Sequence, residues 1–274
     1  MSNLAGKTAY VTGSGRGIGR PLALKLAAHG PSGVANDLDP EPAESVAAEI
    51  RGSGGKAIAV PGSVTEDGFA ENFIKSGIDA FGGVDIIVNN AGYTWDALIG
   101  KMSDRQFDAM MDVHVKAPFR ILRAASGYIR EASSAEAAEG REVFRKVVNI
   151  SSVAGTGGNP GQANYSSAKS AVLGLTKTLA KEWGRMKVNV NCVAFGYIET
   201  RLTEASDDKK QISVEGANIS VGMPTKVAHG MSSMIPLGRP GTPEEAANGV
   251  YLFCSPDADY ISGQTIIVGG GLSI

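Results

Sequence analysis

The stretch Thr8-Ala9-Tyr10-Val11-Thr12-Gly13-Ser14-Gly15-Arg16-Gly17-Ile18-Gly19 decides the fold. Its first five residues are β-branched, aromatic or small and stop at glycine, which reads as a short buried strand. The glycines then make a tight turn. Leu22, Leu24, Leu26 and Ala27 continue as a helix, with Pro21 tolerated in its first turn. A glycine turn that leaves a strand and opens a helix suits a pyrophosphate, because the helix start offers free N–H donors and a partial positive charge. Gly13 permits the turn, Gly17 lets the backbone approach the phosphates, and Gly19 lets helix and strand pack closely. Gly15, Arg16 and Ile18 complete this cofactor-binding set. Asp37, about 20 residues further on, ends the next strand. A carboxylate there holds the two adenosine ribose hydroxyls and repels a 2′-phosphate. That favours NAD, while Arg16, a cation in the turn, keeps NADP open.

The same alternation runs outward from this unit. Strands are predicted at 33–37, 56–60, 84–88, 147–150, 188–193 and 265–268. Helices are predicted at 42–51, 69–81, 104–129, 164–183 and 243–253. The strands are continuously apolar, so both faces of the sheet are covered. The fold class is α/β: a single Rossmann-type doubly wound parallel sheet with helices on both faces, in one domain over 1–274. Residues 132–140 read as an exposed helix extension or loop. Residues 200–234 read as a substrate lid. Its apolar residues (Ile212, Val214, Ile219, Val221, Met223, Val227, Met231 and Met234) suit an apolar chain, and Lys209, Lys210 and Lys226 suit a phosphopantetheine or a carrier protein. The plainer alternative is a lid that packs only on itself.

The 274 residues are 43 % hydrophobic and 20 % charged, with 36 glycines, which fits an ordinary globule. A net charge of −2 gives no reason to expect nucleic acid or an anionic membrane. Cys192 and Cys254 are far apart and read as buried thiols. The start, Met1 to Thr8, lacks a signal-peptide pattern, and no apolar run reaches membrane-spanning length. A cytoplasmic protein is expected. His29, His114 and His229 form no ligand cluster, so no metal is expected.

Three further motifs stand in order: Asn89-Asn90-Ala91-Gly92, Ser152, and Tyr165 with Lys169. With the glycine turn they resemble the short-chain dehydrogenase/reductase family over nearly the whole chain. The chemistry is arguable from the residues. Tyr165 and Lys169 are four apart on a predicted helix and share a face. A phenol titrates near 10, and a neighbouring ammonium together with a cationic nicotinamide would lower it toward useful acid–base range. Ser152 precedes Tyr165 by the family's spacing and would orient the substrate oxygen, while Ser151 points elsewhere. The resemblance implies that Asn90, Ala91 and Gly92 line the adenosine side and that Lys169 bonds the nicotinamide ribose. It also implies that Gly196, Ile198 and Thr200 embrace the nicotinamide, and that the assembly is a homotetramer. Its interfaces would be helices 104–129 and 164–183 and the last strand.

The chain departs from the family pattern at three places. His114 stands where an asparagine usually holds a relay water, and it either carries that relay or only fixes the helix. Ser63, next to Val64, stands where an aspartate commonly meets the adenine amine. Phe195 replaces a proline before Gly196. Asn36-Asp37-Leu38, Ser63, His114 and the run Gly161 to Tyr165 resemble (3R)-hydroxyacyl-CoA dehydrogenase modules. The runs 161–165 and 197–200 also resemble 3-oxoacyl-[acyl-carrier-protein] reductases. Both imply a small-molecule carbonyl or alcohol substrate carried on coenzyme A or on acyl carrier protein. A dehydrogenase of a steroid, sugar or other secondary alcohol is the alternative. A dinucleotide-binding sensor without turnover is more remote, because Ser152, Tyr165 and Lys169 are all kept.

Overall fold

The computed structural model describes residues 4–208, 210–214 and 216–272. The first three residues of the chain start and Lys209 of the 200–234 segment lie outside the described residues. Seven strands form one parallel sheet: β1 (Thr8–Val11), β2 (Ser32–Ala35), β3 (Ala57–Ala59), β4 (Ile86–Asn89), β5 (Arg145–Ser152), β6 (Val188–Phe195) and, last in the chain, Thr265–Val268. The order is β3-β2-β1-β4-β5-β6 followed by the C-terminal strand. It reverses between β1 and β4, so a crevice opens at the carboxyl ends of those strands.

Both faces of the sheet are buried, and the side-chain alternation of period two supplies both. Tyr10 and Ile87 point to one face, beneath α3 (Phe69–Phe81), α4 (Asp104–Met111), α5 (Ala117–Ala138) and α7 (Ala163–Trp183). Val11, Ile86 and Val88 point to the other, with Leu22 and Leu26 of α1 (Gly19–Ala28) and Val250 and Phe253 of α9 (Pro243–Cys254). Val46 and Ile50 of α2 (Pro40–Gly52) pack on Ala35 of β2 and Ala57 of the edge strand β3. Helix starts follow local chemistry. Thr242 and Glu245 close a reciprocal capping box on α9, and Ser103 and Gln106 do the same on α4.

Two predicted elements came out differently. The helix expected at 104–129 is broken by a wide turn over Asp112–Lys116, in which the Ala117 N–H reaches back to the Asp112 carbonyl. Pro118 has no N–H to give the carbonyl of His114 four residues earlier, so the ladder loosens there. Helix α5 then runs on to Ala138, which resolves 132–140 as mostly helix. The 200–234 segment holds structure of its own. Strands β7 (Lys210–Val214) and β8 (Ala217–Val221) pair as an antiparallel ribbon, followed by α8 (Thr225–Ser233). No helix among the described residues is long and apolar enough to cross a membrane.

Candidate active site

The turn between β1 and α1 is stitched to its neighbours before any ligand is considered. The Ser14 N–H donates to the Asn36 carbonyl at 2.6 Å, and the Gly13 N–H donates to Asn36 Oδ1 at 3.2 Å. Asn90 Nδ2 donates to the carbonyls of Thr12 at 2.9 Å and Gly13 at 3.1 Å. Asn90 thus shapes the turn with its side chain as well as fronting the crevice. A Cβ on Gly19 would collide with the Gly13 carbonyl, so this glycine is fixed by helix–strand packing. Gly17 has φ +53°, and a Cβ there would meet nothing within 4 Å. The turn therefore has open space beside it and backbone free to approach a phosphate. A dinucleotide fits that cradle.

A cleft of about 420 Å³ lies along the turn. Gly13, Arg16, Gly17, Ile18, Asp37, Ser63, Val64, Asn90, Ala91, Gly92 and Thr200 all stand in its wall. Gly15 lies behind it, close enough to Asp37 that a Cβ would come within 2.6 Å of Oδ2. Asp37 is nearly buried. Its Oδ1 sits 3.4 Å from Arg16, which is also held by Asp39 at 2.7 Å. Arg16 is thus neutralised by two carboxylates. Ser63 Oγ accepts from the Thr65 N–H at 3.2 Å, in a turn that aims this residue at the cleft.

Tyr93 and Thr200 also stand in the wall of the cleft, whereas the catalytic candidates Ser152, Tyr165 and Lys169 do not. They belong to β5, α6 (Val153–Gly157) and α7. Asn164 is fully buried and donates to the carbonyls of Trp95 at 3.0 Å and Gln106 at 2.9 Å, which anchors the start of α7. Ser151 points inward and donates to the Lys169 carbonyl at 2.8 Å. Ser152 points the other way, accepts from the Ala154 N–H at 3.2 Å, and hydrogen-bonds Tyr165. Lys169 Nζ donates to the Ile150 carbonyl at 2.8 Å and stands 5.5 Å from the Tyr165 ring centre.

The protonation states follow from burial. Burial pushes Tyr165 up to about 12, against the Ser152 hydrogen bond and with help from the charge of Asp96. The lowering expected from Lys169 is not delivered by the protein alone: desolvation of the phenolate dominates. Lys169 is itself pushed down to about 8 by burial. His114 is buried, and burial followed by the charge of Lys169 holds it well below its ordinary value. It is therefore neutral. Its Nε2 bonds the Tyr93 carbonyl at 2.8 Å, and its Nδ1 is buried with no hydrogen-bond partner among the described residues.

Gly196 follows β6, where a Cβ would meet Gly269 Cα at 2.7 Å. Phe195 keeps an N–H that proline would lack, and β6 stays paired to the C-terminal strand through Phe195 and Val268. Ile198 bridges to Gly241, and its carbonyl accepts from Thr203 Oγ1 at 2.5 Å. The Thr200 N–H donates to the same hydroxyl at 2.9 Å.

Several site-side residues escaped the sequence reading. Arg201 and Leu202 share the cleft wall with Asp37, and so do Ile212 and Val214, which the sequence reading assigns to the lid. Asp96 is exposed and accepts from Gln162 Nε2 at 2.8 Å, and its charge is felt by Tyr165. Its place just after the Asn-Asn-Ala-Gly run was the available signal. Among the described residues no group of three or more His, Cys, Asp or Glu is placed to hold a metal.

The 3-oxoacyl-[acyl-carrier-protein] reductase of Synechocystis sp. is 39 % identical to this chain over 274 residues, covering 99 % of each chain. The reductases of that name from Thermotoga maritima and Vibrio cholerae are 34 % and 36 % identical, covering 99 % and 98 % of each chain respectively. The sequence model of the short chain dehydrogenase family matches residues 7–211. The chain belongs to that family, oxidoreductases that work with a nicotinamide dinucleotide.

Proposed function

We propose that this chain reduces 3-oxoacyl thioesters to 3-hydroxyacyl thioesters, carried on acyl carrier protein or coenzyme A, with NAD as the preferred dinucleotide. The observation that carries the reading is the half-buried Tyr165 with its hydroxyl bonded to Ser152 and Lys169 Nζ alongside. The relatives' printed names supply the substrate class. The bound dinucleotide supplies the hydride.

The chain's own residues do the rest. Ser152 and Tyr165 hold the carbonyl oxygen of the substrate between two hydroxyls. Tyr165, protonated at neutral pH, donates its proton to that oxygen as negative charge develops there. Lys169 keeps the site cationic and bonds the nicotinamide ribose. His114 Nδ1 accepts a hydrogen bond from the water that returns the proton. Gly13, Gly15, Gly17, Ile18 and Gly19 hold the pyrophosphate. Asp37, rather than Arg16, sets the preference, because Arg16 already satisfies two carboxylates. Gly196, Ile198 and Thr200 meet the nicotinamide end, and α8 with its flanking methionines covers the acyl chain.

The active form is a cytoplasmic homotetramer. Its support is the exposed apolar side chains on the elements named for its interfaces: Phe107 on α4, Phe119 on α5 and Ile267 on the C-terminal strand. The test is initial rates on acetoacetyl-CoA with NADH and with NADPH, alongside Tyr165→Phe. NADH-dependent turnover that the substitution abolishes is expected. No turnover with either dinucleotide, despite tight binding, counts against the substrate.

A further inference from the structure

The β7–β8 ribbon is an element that the proposed chemistry does not use. Ile212 lies opposite Ile219, and Val214 lies opposite Ala217. Residues directly opposite in an antiparallel pair share a face. Both of these pairs are apolar, while Gln211, Ser213, Asn218 and Ser220 on the other face are exposed, with Ser213 at the rim of the cleft. Ile219 and Ala217 are buried, and Ile212 and Val214 are half-buried. A two-stranded ribbon is marginal in water and needs something under its apolar face.

Its base is fixed. The Ser206 N–H donates to the Met223 carbonyl at 2.8 Å, the Met223 N–H to the Glu204 carbonyl at 2.9 Å, and the Gly222 N–H to the Leu202 carbonyl at 3.0 Å. This ties the ribbon to the loop that carries Thr200 and Arg201. Ile212 and Val214 then front the same cleft as Asp37, Ser63 and Val64, while Tyr165 is absent from that wall. The loop to which the ribbon is tied lies beside Asp37, since the charges of Arg16, Asp37 and Asp39 are felt at Arg201, so the ribbon is set toward the Asp37 side of the cleft.

We propose that the apolar face of β7–β8 is the adenine-binding wall of the dinucleotide site, so that the adenosine half of the cofactor and the ribbon order each other. The proposal rests on the nicotinamide-dinucleotide reading above. A purine has two apolar faces and a polar rim. Val64 supplies one wall, Ile212 and Val214 supply the other, and Ser63 meets the rim. The purine would remove from water the surface that Ile212 and Val214 still expose. Strands at the low-stability end of a fold become ordered when a ligand covers them.

The test is amide hydrogen exchange on the full chain, alone and with ADP-ribose, NAD⁺ or nicotinamide mononucleotide, together with ADP-ribose titration of the double variant Ile212→Ser/Val214→Ser. ADP-ribose and NAD⁺ should slow exchange across 211–221 by about tenfold or more, and the mononucleotide should leave it unchanged. The double variant should bind ADP-ribose about tenfold more weakly. Protection equal with both halves of the dinucleotide, or ADP-ribose bound at wild-type affinity by the variant, overturns the proposal and leaves the dinucleotide reading intact. Failure of the unaltered chain to bind NAD(H) or NADP(H) overturns both.

Discussion

His114 meets Tyr165 edge-on, with ring centres 5.1 Å apart and planes at 84°. Gly92 makes the contact possible, since a Cβ there would fall inside the imidazole. The imidazole is thus wedged between the Gly92 backbone and the Tyr165 ring. Its Nε2–H is tied to Tyr93, which leaves Nδ1 as an acceptor facing inward.

His114→Ala should lower kcat by about 10- to 100-fold, the scale of one lost proton-transfer or positioning contact, and leave dinucleotide affinity nearly unchanged. His114→Asn, which keeps an acceptor, should recover part of the loss. Steady-state rates alongside a binding titration separate the two effects. An unaltered kcat in the alanine variant would mean that the ring only fills space.

The rate of carbonyl reduction should fall above about pH 8. Tyr165 keeps its proton up to about 12, so the acid itself is not what titrates. Lys169 is lowered to about 8, so the ammonium beside Tyr165 is present below that pH and lost above it. In Lys169→Arg the cation persists, and any remaining activity should stay level through pH 9. A flat wild-type profile from pH 7 to 9.5 would show that Lys169 holds its proton in the working complex.

Asp37→Ala should move the NADH-to-NADPH preference toward NADPH by about tenfold or more, since removing one unit charge beside a 2′-phosphate is worth over about 1.4 kcal/mol. Arg16 would be released from one of its two carboxylates, and Arg201 lies near enough for its charge to be felt by Arg16 and Asp37. Arg201→Ala in the same background should remove part of the NADPH gain. Dissociation constants for both dinucleotides in the three proteins give the answer, and an Asp37→Ala protein with wild-type preference would contradict the electrostatic account.

Gly77→Ala should destabilise the fold by about 1–3 kcal/mol without changing kcat, because it overpacks a filled core. Gly77 of α3 lies flat against Tyr10, and a Cβ would enter the phenol ring. Tyr10 cannot move aside, because its hydroxyl donates to the Gly83 carbonyl at 2.9 Å and its ring packs on Phe73. Urea unfolding measures the loss, and an unchanged midpoint would mean that the helix shifts freely.

The sequence by itself determined the sheet, the glycine turn and the pairing of Tyr165 with Lys169. Each depends on local spacing: apolar runs bounded by glycine, a turn that only glycine can make, and two side chains one helical turn apart. Even the divergence of Ser151 from Ser152 follows from strand alternation. What the tertiary structure decided involves contacts between distant segments or the medium around a group. The break at Asp112–Lys116 takes its cause from Pro118, but its meaning comes from the carbonyl of Tyr93 and the ring of Tyr165 being brought against His114. The rise of Tyr165 and the fall of Lys169 come from burial, which no four-residue spacing encodes. The ribbon over 210–221 was legible as apolar residues but not as a strand pair lining the same cleft as Asp37. Which face of a strand pair is covered depends on where its ends are tied, and those ties run to Leu202, Glu204 and Ser206.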